Sequence, residues 1–459
     1  MKSHLWSVAL ALTITSGTAA QHFHGREDVV SGNFAAHAVK AAVARDDAAK
    51  LFAEAHDGYS LILGDFGSWA DALALATEIN TRGGRIDLVI NQRFLIGVVP
   101  AEIEQRVRAW TGVRFLTRKP TPVVQVPGTR DATVNGIVGY YNRVVDGTRL
   151  REILEAPQSD PLPAETPLKD SELPPSEQPD RSTGADETTG SRRPRNVATN
   201  AYHNEYLYGS IGVNVFFTES NGSIDANYYT WTLSDVNSTS LRMLDGLDWW
   251  HTRAFARGLS FVSAVAFHSP VNEPQVFQGY EPIRNPIGDR GKWVSAIMGN
   301  YGYTQTENQI TVQAIARNRA YNEAFRTAIG GTSSHSVFVA YNPAGTNVPD
   351  RYTGNAIALA YIGGPYIEIA FRPANLISKW AWIYSHEMGH IYWACDEFFS
   401  QCAGCGTCAP NGPRPAVSNG NCEDGCAVTP VSCMMLNAIT ATGTPPSGVC
   451  SYTAQQIGW

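Results

Sequence analysis

Two histidines and a glutamate in residues 380–397 form an H-E-x-x-H pattern, made by His386, Glu387 and His390. On a helix, residues four apart project from one face, so both imidazoles can bind a single metal ion. The carboxylate of Glu387 lies beside the first histidine, where it can take a proton from water at that ion. The pattern predicts a hydrolytic metal centre, with two core histidines hydrogen-bonded to carbonyl groups as the alternative.

The helix that carries this pattern can be read from its apolar spacing. Its core-facing stripe consists of Ile377, Ala381, Tyr384, Met388 and Ile391. At about 100° per residue, the two histidines fall on the opposite side, beside Trp382 and Trp393. Because both sides are largely apolar, we expect a helix buried inside the protein.

Three further residues, which come later in the chain, extend the pattern. Asp396 lies six residues after His390, and Met434 and Met435 follow in Ser432-Cys433-Met434-Met435. Here the sequence resembles the metzincin clan of zinc endopeptidases, with their H-E-x-x-H-x-x-G-x-x-H or -D signature and later Met-turn. The Asp-Glu pair is also similar to that of bacterial families related to the IgA peptidases. The resemblance covers the active-site helix and the tail to Trp459, and the region back to about residue 201 by element order.

The resemblance implies a role for each matching residue. His386, His390 and Asp396 would bind one zinc ion, and Glu387 would be the general base. Met434 or Met435 would be the Met-turn residue.

Trp393 departs from the pattern because the clan has glycine at this position, where the chain turns sharply toward the third ligand. The departure leaves neighbouring Glu397 as the runner-up third ligand. We favour Asp396, since its spacing matches.

All eight cysteines lie in residues 395–459, at Cys395, Cys402, Cys405, Cys408, Cys422, Cys426, Cys433 and Cys450. An even count in the tail of an exported chain predicts four disulfides of unknown pairing. The alternative is a structural zinc knot at Cys402-x-x-Cys405-x-x-Cys408. Cys395 and Cys433 adjoin Asp396 and Met434, which suggests a role in assembling the site. Oxygen donors in the same tail are suited to calcium, with ordinary loop chemistry as the alternative. These donors are Asp396, Glu397, Asn419, Asn421 and Asp424.

The chain before the catalytic region is expected to contain three parts. Residues 1–20 have the charged start, apolar run and small-residue end of a secretory signal. Residues 21–155 are predicted to form a small α/β domain, interpreted as a prodomain and intramolecular inhibitor, or else as a structural module. Residues 156–200 are rich in proline and acidic residues, and are predicted to be a disordered linker.

Composition limits the partners of the protein. The chain has 459 residues, 43% hydrophobic content and a net charge of −7, without a long basic run. These values favour a globular protein that binds no nucleic acid, and no membrane span is expected. The predicted fold class is α+β, with a metzincin-like catalytic domain over residues 201–459 that has a twisted mixed sheet, an active-site helix and a disulfide-rich end.

Together these patterns predict a secreted zinc metalloendopeptidase that acts on proteins or peptides. One alternative is a zinc-containing binding module or adhesin without catalysis. Another is a thermolysin-type hydrolase whose third ligand is a later glutamate. Glu423 is the only glutamate after Glu397, and its surroundings do not predict a helix.

Overall fold

The computed structural model describes most of the chain after residue 46. The described residues are 47, 49–122, 132–155, 204–226, 229–342, 352, 357–371, 377–398, 402, 405–409, 412–423, 426, 431–437 and 448–459. The expected signal sequence (1–20) and linker (156–200) lie outside them.

A mixed sheet forms the centre of the fold. Its strands are β1 (Tyr59–Gly64), β2 (Arg85–Ile90), β3 (Phe94–Val98), β4 (Val113–Thr117), β5 (Gly209–Ser220), β6 (Phe261–His268), β7 (Phe277–Gln278), β8 (Ser333–Tyr341), β9 (Ala358–Ala360) and β10 (Tyr366–Phe371). They are ordered β4-β1-β3-β2-β6-β5-β8-β10-β9, and β7 pairs with β5. The strands from β2 through β6, β5 and β8 to β10 are parallel, whereas β1, β3 and β4 pair antiparallel and β9 is an antiparallel edge strand. The predicted α+β class with a mixed sheet is confirmed.

Helices cover both faces of the sheet. They are α1 (Trp69–Thr81), α2 (Glu104–Arg108), α3 (Val134–Val145), α4 (Thr148–Glu155), α5 (Leu233–Phe255), α6 (Gly291–Asn300), α7 (Ile310–Ala328), α8 (Ile377–Ile391), α9 (Met434–Asn437) and α10 (Ser451–Ile457). Apolar side chains of α3, α5 and α8 share one core with the sheet. Side chains of α1 and of α6 belong to two further cores. Helix α8 is thus held between the sheet and its neighbouring helices.

Local sequence accounts for several boundaries. The Ser68 and Thr232 hydroxyls accept hydrogen bonds from Asp71 N and Asp235 N, and so cap α1 and α5. The chain turns between β2 and β3 at Asn91 and Gln92, which have φ of 49° and 56°. Gly363, whose φ is also positive, lies between β9 and β10, which pair antiparallel. The two caps depend on contacts close in sequence, whereas Asn91 N and Gly363 N donate to the distant carbonyls of Val265 and His390.

The N-terminal strands belong to the same sheet as the predicted catalytic region. β2 pairs in parallel with β6, matching Leu88 to Ser263 and Ile90 to Val265. The described residues between Asp47 and Trp459 form one compact unit. The small N-terminal α/β domain expected at 21–155 is therefore not a separate body over its described residues. Its strands extend the sheet at the end opposite β9.

Buried charges also join the N-terminal helices to the rest of the fold. Asp245 of α5 is fully buried and lies 3.1 Å from an Arg143 guanidinium nitrogen and 3.5 Å from Arg149. His56 Nε2 lies 2.6 Å from the carboxylate of Asp248 on the same helix. The Arg149 guanidinium stacks on the ring of Trp382 in α8. The N-terminal region therefore contacts α8 directly and also packs against α5, its neighbour.

Candidate metal centre

The helix α8 places both histidines in a buried position. Every residue from Trp380 to Ile391 is buried, as its two-sided apolar pattern predicts. His386 and His390 are separated by one turn, and their rings meet edge to face with centroids 4.8 Å apart. Buried imidazoles need hydrogen-bond partners or a metal ion.

Three ligand atoms converge next to this helix. His386 Nε2 and His390 Nε2 are 3.2 Å apart, and Asp396 Oδ1 lies 3.0 Å from the first and 3.4 Å from the second. A tetrahedral zinc ion about 2.0–2.1 Å from its ligands would place neighbouring ligand atoms roughly 3.3 Å apart. The three distances fit a shared ion.

The opposite ring nitrogens orient the imidazoles. His386 Nδ1 donates to the Met434 carbonyl at 3.2 Å, and His390 Nδ1 donates to the Ala394 carbonyl at 2.8 Å. With their protons on Nδ1, both Nε2 atoms present lone pairs to each other and to Asp396 Oδ1. That carboxylate oxygen is itself buried and has no hydrogen-bond partner among the described residues. Facing lone pairs in a buried site require a cation or an added proton between them.

The charges of the site agree with this requirement. Burial by itself lowers the pKa of His390, but the nearby Asp396 carboxylate more than offsets burial and raises the pKa to about 9. Burial likewise opposes ionisation of Asp396, yet the two imidazoles hold the pKa of its carboxyl well below the usual range. A site that attracts a proton this strongly also attracts a divalent cation, which competes for the same lone pairs.

Trp393 makes the turn that glycine makes in the metzincin signature. Its φ is 74°, in the left-handed region, and it follows the end of α8 by two residues. Ala394 N donates to Gly389 O at 3.0 Å and Trp393 N donates to His390 O at 2.9 Å, the two bonds of a Schellman motif. The indole packs so closely on the chain that a Cβ at Gly412 would lie 2.7 Å from it. Packing thus offsets the cost of a left-handed tryptophan, and the chain still reaches Asp396.

The structure separates Asp396 from the runner-up ligand Glu397. Asp396 belongs to the group formed with His386 and His390, whereas Glu397 groups with Cys433 and Cys450. The Glu397 carboxylate is fully buried and accepts hydrogen bonds from Asn421 Nδ2 at 2.6 Å and from Thr453 Oγ1 at 2.8 Å. These hydrogen bonds hold the Glu397 carboxylate away from the imidazoles. Adjacent side chains of an extended chain point to opposite sides, so Asp396 can face the histidines while Glu397 faces away from them.

The two methionines have different positions beneath the site. Met435 is fully buried, and a Cβ at Gly389 would lie 2.6 Å from its sulfur. The Met435 side chain thus lies against α8 between the two histidines. Met434 contributes its carbonyl to His386 instead. The sequence did not predict the roles of this carbonyl and that of Ala394, because every residue has a main-chain carbonyl whatever its type.

Glu387 completes the set of predicted site residues. It follows His386 directly, is 6% exposed, and its negative charge is one of the influences that raise the pKa of His390. Its carboxylate is therefore electrostatically coupled to the three-ligand group. The donor set of two imidazoles and a carboxylate fits zinc with one position left open.

Six cysteines of the tail form disulfides, Cys395–Cys408, Cys402–Cys422 and Cys405–Cys426. The alternative of a zinc knot at Cys402, Cys405 and Cys408 is therefore wrong, because all three sulfurs are in disulfides. Cys433 and Cys450, the other two cysteines, are buried thiols in this structure, which therefore shows three of the four predicted disulfides.

The predicted calcium donors do not converge over their described members. Asn419 Nδ2 donates to Asp396 O at 2.7 Å, and Asn421 uses both amide atoms within the protein. Asp424 lies outside the described residues. Calcium binding stays a prediction.

Comparison with models of known protein families, with curated protein sequences and with solved structures gives no match. Among the helices that the structure describes, none has the length and apolar character needed to cross a bilayer.

Proposed function

We propose that this protein is a secreted zinc-dependent endopeptidase of the metzincin type. The observation that carries the proposal is the convergence of His386 Nε2, His390 Nε2 and Asp396 Oδ1 at mutual distances of 3.0–3.4 Å. Three protein ligands leave room for solvent, as in catalytic zinc sites, whereas structural sites are normally closed by four. Zinc bound there would lower the pKa of water and polarise a peptide carbonyl.

The protein groups around the site have distinct tasks in peptide hydrolysis. Glu387 accepts the proton of the attacking water and then delivers it to the leaving amine. The carbonyls of Met434 and Ala394 keep both imidazoles in the tautomer that leaves Nε2 available. Met435 provides an apolar base under the helix turn that carries them.

A binding surface for an extended peptide lies near the site. β9 is the edge strand and precedes α8 in sequence, and Gly363 N, at the β9–β10 turn, donates to His390 O at 2.8 Å. One side of β9 pairs with β10, and among the described strands none pairs with its other side, which we propose binds a substrate strand through the backbone. Backbone pairing would make the enzyme tolerant of substrate side chains, as the resemblance to metzincins implies.

Two alternatives are disfavoured by particular residues. A thermolysin-type site would need Glu423 as third ligand, but this residue is exposed in a turn and its N–H donates to Glu397 O. A binding module without catalysis would not need a carboxylate at Glu387. A secreted location is supported by the disulfides, which form in oxidising compartments.

The test is casein digestion by the wild type, Glu387→Gln and Glu423→Gln, each with and without a chelator. We expect Glu387→Gln to retain zinc and to lose activity by roughly 10²- to 10⁴-fold, the usual effect of removing a general base. Glu423→Gln is the matched control and should digest casein like the wild type. Full activity of Glu387→Gln, or loss of zinc from Glu423→Gln, would overturn the assignment.

A further inference from the structure

Two buried thiols face each other beside the metal centre. Cys433 precedes α9 and Cys450 caps α10, and both side chains are buried. Their sulfurs lie within 4.8 Å of each other, and Cys450 N donates to Cys433 Sγ at 3.3 Å. Thr453 Oγ1 lies 3.2 Å from one sulfur and 3.5 Å from the other. The two thiols are therefore neighbours that share one hydrogen-bonding partner.

The remaining six cysteines of this tail are all oxidised. Two of their bridges, Cys395–Cys408 and Cys402–Cys422, begin within five residues of Glu397, whose carboxylate accepts from Cys450 Sγ at 2.8 Å. A compartment that oxidises these cysteines also oxidises a further pair that can meet. Cys433 and Cys450 are therefore exposed to the same oxidising conditions as the other six cysteines.

We propose that Cys433 and Cys450 form a fourth disulfide that fixes the orientation of His386. The role of His386 as a metal ligand rests on the proposed function. Closure occurs during folding by exchange with a small disulfide such as oxidised glutathione. One cysteine thiolate attacks the small disulfide and releases one small thiol. The second cysteine thiolate attacks the mixed disulfide and releases the other. The two cysteines lose two protons and two electrons, and the small disulfide becomes two thiols.

The link from this disulfide to the metal site runs through the main chain. Cys433 is followed directly by Met434, whose carbonyl accepts the Nδ1 proton of His386 at 3.2 Å. Met434 N donates to Gly448 O at 3.1 Å, two residues before Cys450. The covalent bond and this hydrogen bond therefore join the same two segments. Cys433 and Cys450 are thus positioning residues that limit movement of the carbonyl holding His386.

The alternative to a disulfide is a metal site formed with the neighbouring Glu397. Its carboxylate and the two thiols form a three-ligand group that would suit a structural zinc ion. Glu397 accepts hydrogen bonds from Asn421 and Thr453, and both remain when the Cys450 thiol loses its proton to the disulfide. Because these two bonds stabilise the carboxylate without a metal, they favour the disulfide.

The first experiment maps the disulfides of the purified full chain. The protein is denatured with an alkylating reagent and no reductant, digested, and analysed by mass spectrometry. We expect one peptide pair joined through Cys433 and Cys450 that separates only after reduction. Alkylation of both cysteines would overturn the proposal, and a second zinc equivalent in the wild type that is lost in Cys433→Ala would assign the group to a structural metal instead. The map is independent of peptidase activity, so it distinguishes failure of this proposal from failure of the proposed function.

The second experiment measures zinc affinity by competition with a colorimetric chelator. The double variant Cys433→Ala/Cys450→Ala should bind zinc roughly 10- to 100-fold more weakly, the usual effect of losing support for a metal ligand. The double variant Cys405→Ala/Cys426→Ala removes a different bridge and should bind zinc like the wild type. Equal affinity in wild type and the first double variant would overturn the positioning role. If that variant does not fold, the single variant Cys450→Ala takes its place in the same comparison.

Discussion

Replacing Trp393 by alanine and by glycine separates the two opposing contributions of this residue. The indole is 7% exposed, and truncating a buried tryptophan costs about 3–5 kcal/mol. Its left-handed backbone, with φ of 74°, costs about 1–2 kcal/mol in any residue with a Cβ. Alanine loses the packing and keeps the backbone cost, whereas glycine loses the packing and removes that cost.

The glycine variant should therefore be more stable than the alanine variant by about 1 kcal/mol, although both are less stable than the wild type. The measurement is the free energy of unfolding in urea, followed by fluorescence. Trp382 provides the matched control, because it is buried within α8 and has no left-handed conformation. There the order should reverse, with glycine about 1 kcal/mol worse than alanine. If alanine is at least as stable as glycine at position 393, the tryptophan does not hold the turn in the way we describe.

Three further predictions concern the body of the fold. A chain that begins at residue 204 should not fold, because it lacks β1–β4 and leaves the buried Asp245 without Arg143. A fragment that is monomeric in gel filtration and unfolds cooperatively by circular dichroism would contradict this prediction. Asp245→Asn in the full chain should lower the free energy of unfolding by about 3–5 kcal/mol, and a loss below 1 kcal/mol would show that its ion pairs are not structural. Burial raises the pKa of Glu368 to about 8, above its usual 4.5. Between these two pH values the folded state holds a proton that the unfolded state has lost. The free energy of unfolding should therefore fall as pH rises from about 4.5 to 8. Glu368→Gln keeps an acceptor for Trp293 and should flatten that fall, which is at most about 5 kcal/mol. An unchanged pH dependence would refute the shift.

The local parts of the site could be predicted from sequence. Helical spacing places His386 and His390 on one face whatever the rest of the chain does, and Asp396 follows within one turn and a short loop. The strand pair at Gly363 and the turn at Asn91 likewise have signals in the local sequence, and distant hydrogen bonds to His390 and Val265 add to them. The local signals are enough to predict these features.

The parts that depend on distant contacts could not be predicted. The parallel pairing of β2 with β6 joins residues about 170 positions apart, and the proline-rich linker between them suggested a domain boundary instead. Helix α6 lies in a stretch rich in glycine and proline, where composition favours loops. Trp393 in a left-handed turn is stabilised by Gly363 and Gly412, which are remote in sequence. In each case tertiary packing prevails over local preference.

The central claim is that His386, His390 and Asp396 bind one zinc ion. The most direct measurement is the metal content of purified wild type, His390→Ala, Asp396→Asn and Glu397→Gln by elemental analysis after dialysis. We predict about one zinc per wild-type chain, retained in a folded Glu397→Gln variant and lost from the other two. Wild-type protein without zinc, or zinc that is retained by Asp396→Asn and lost from Glu397→Gln, would contradict the account.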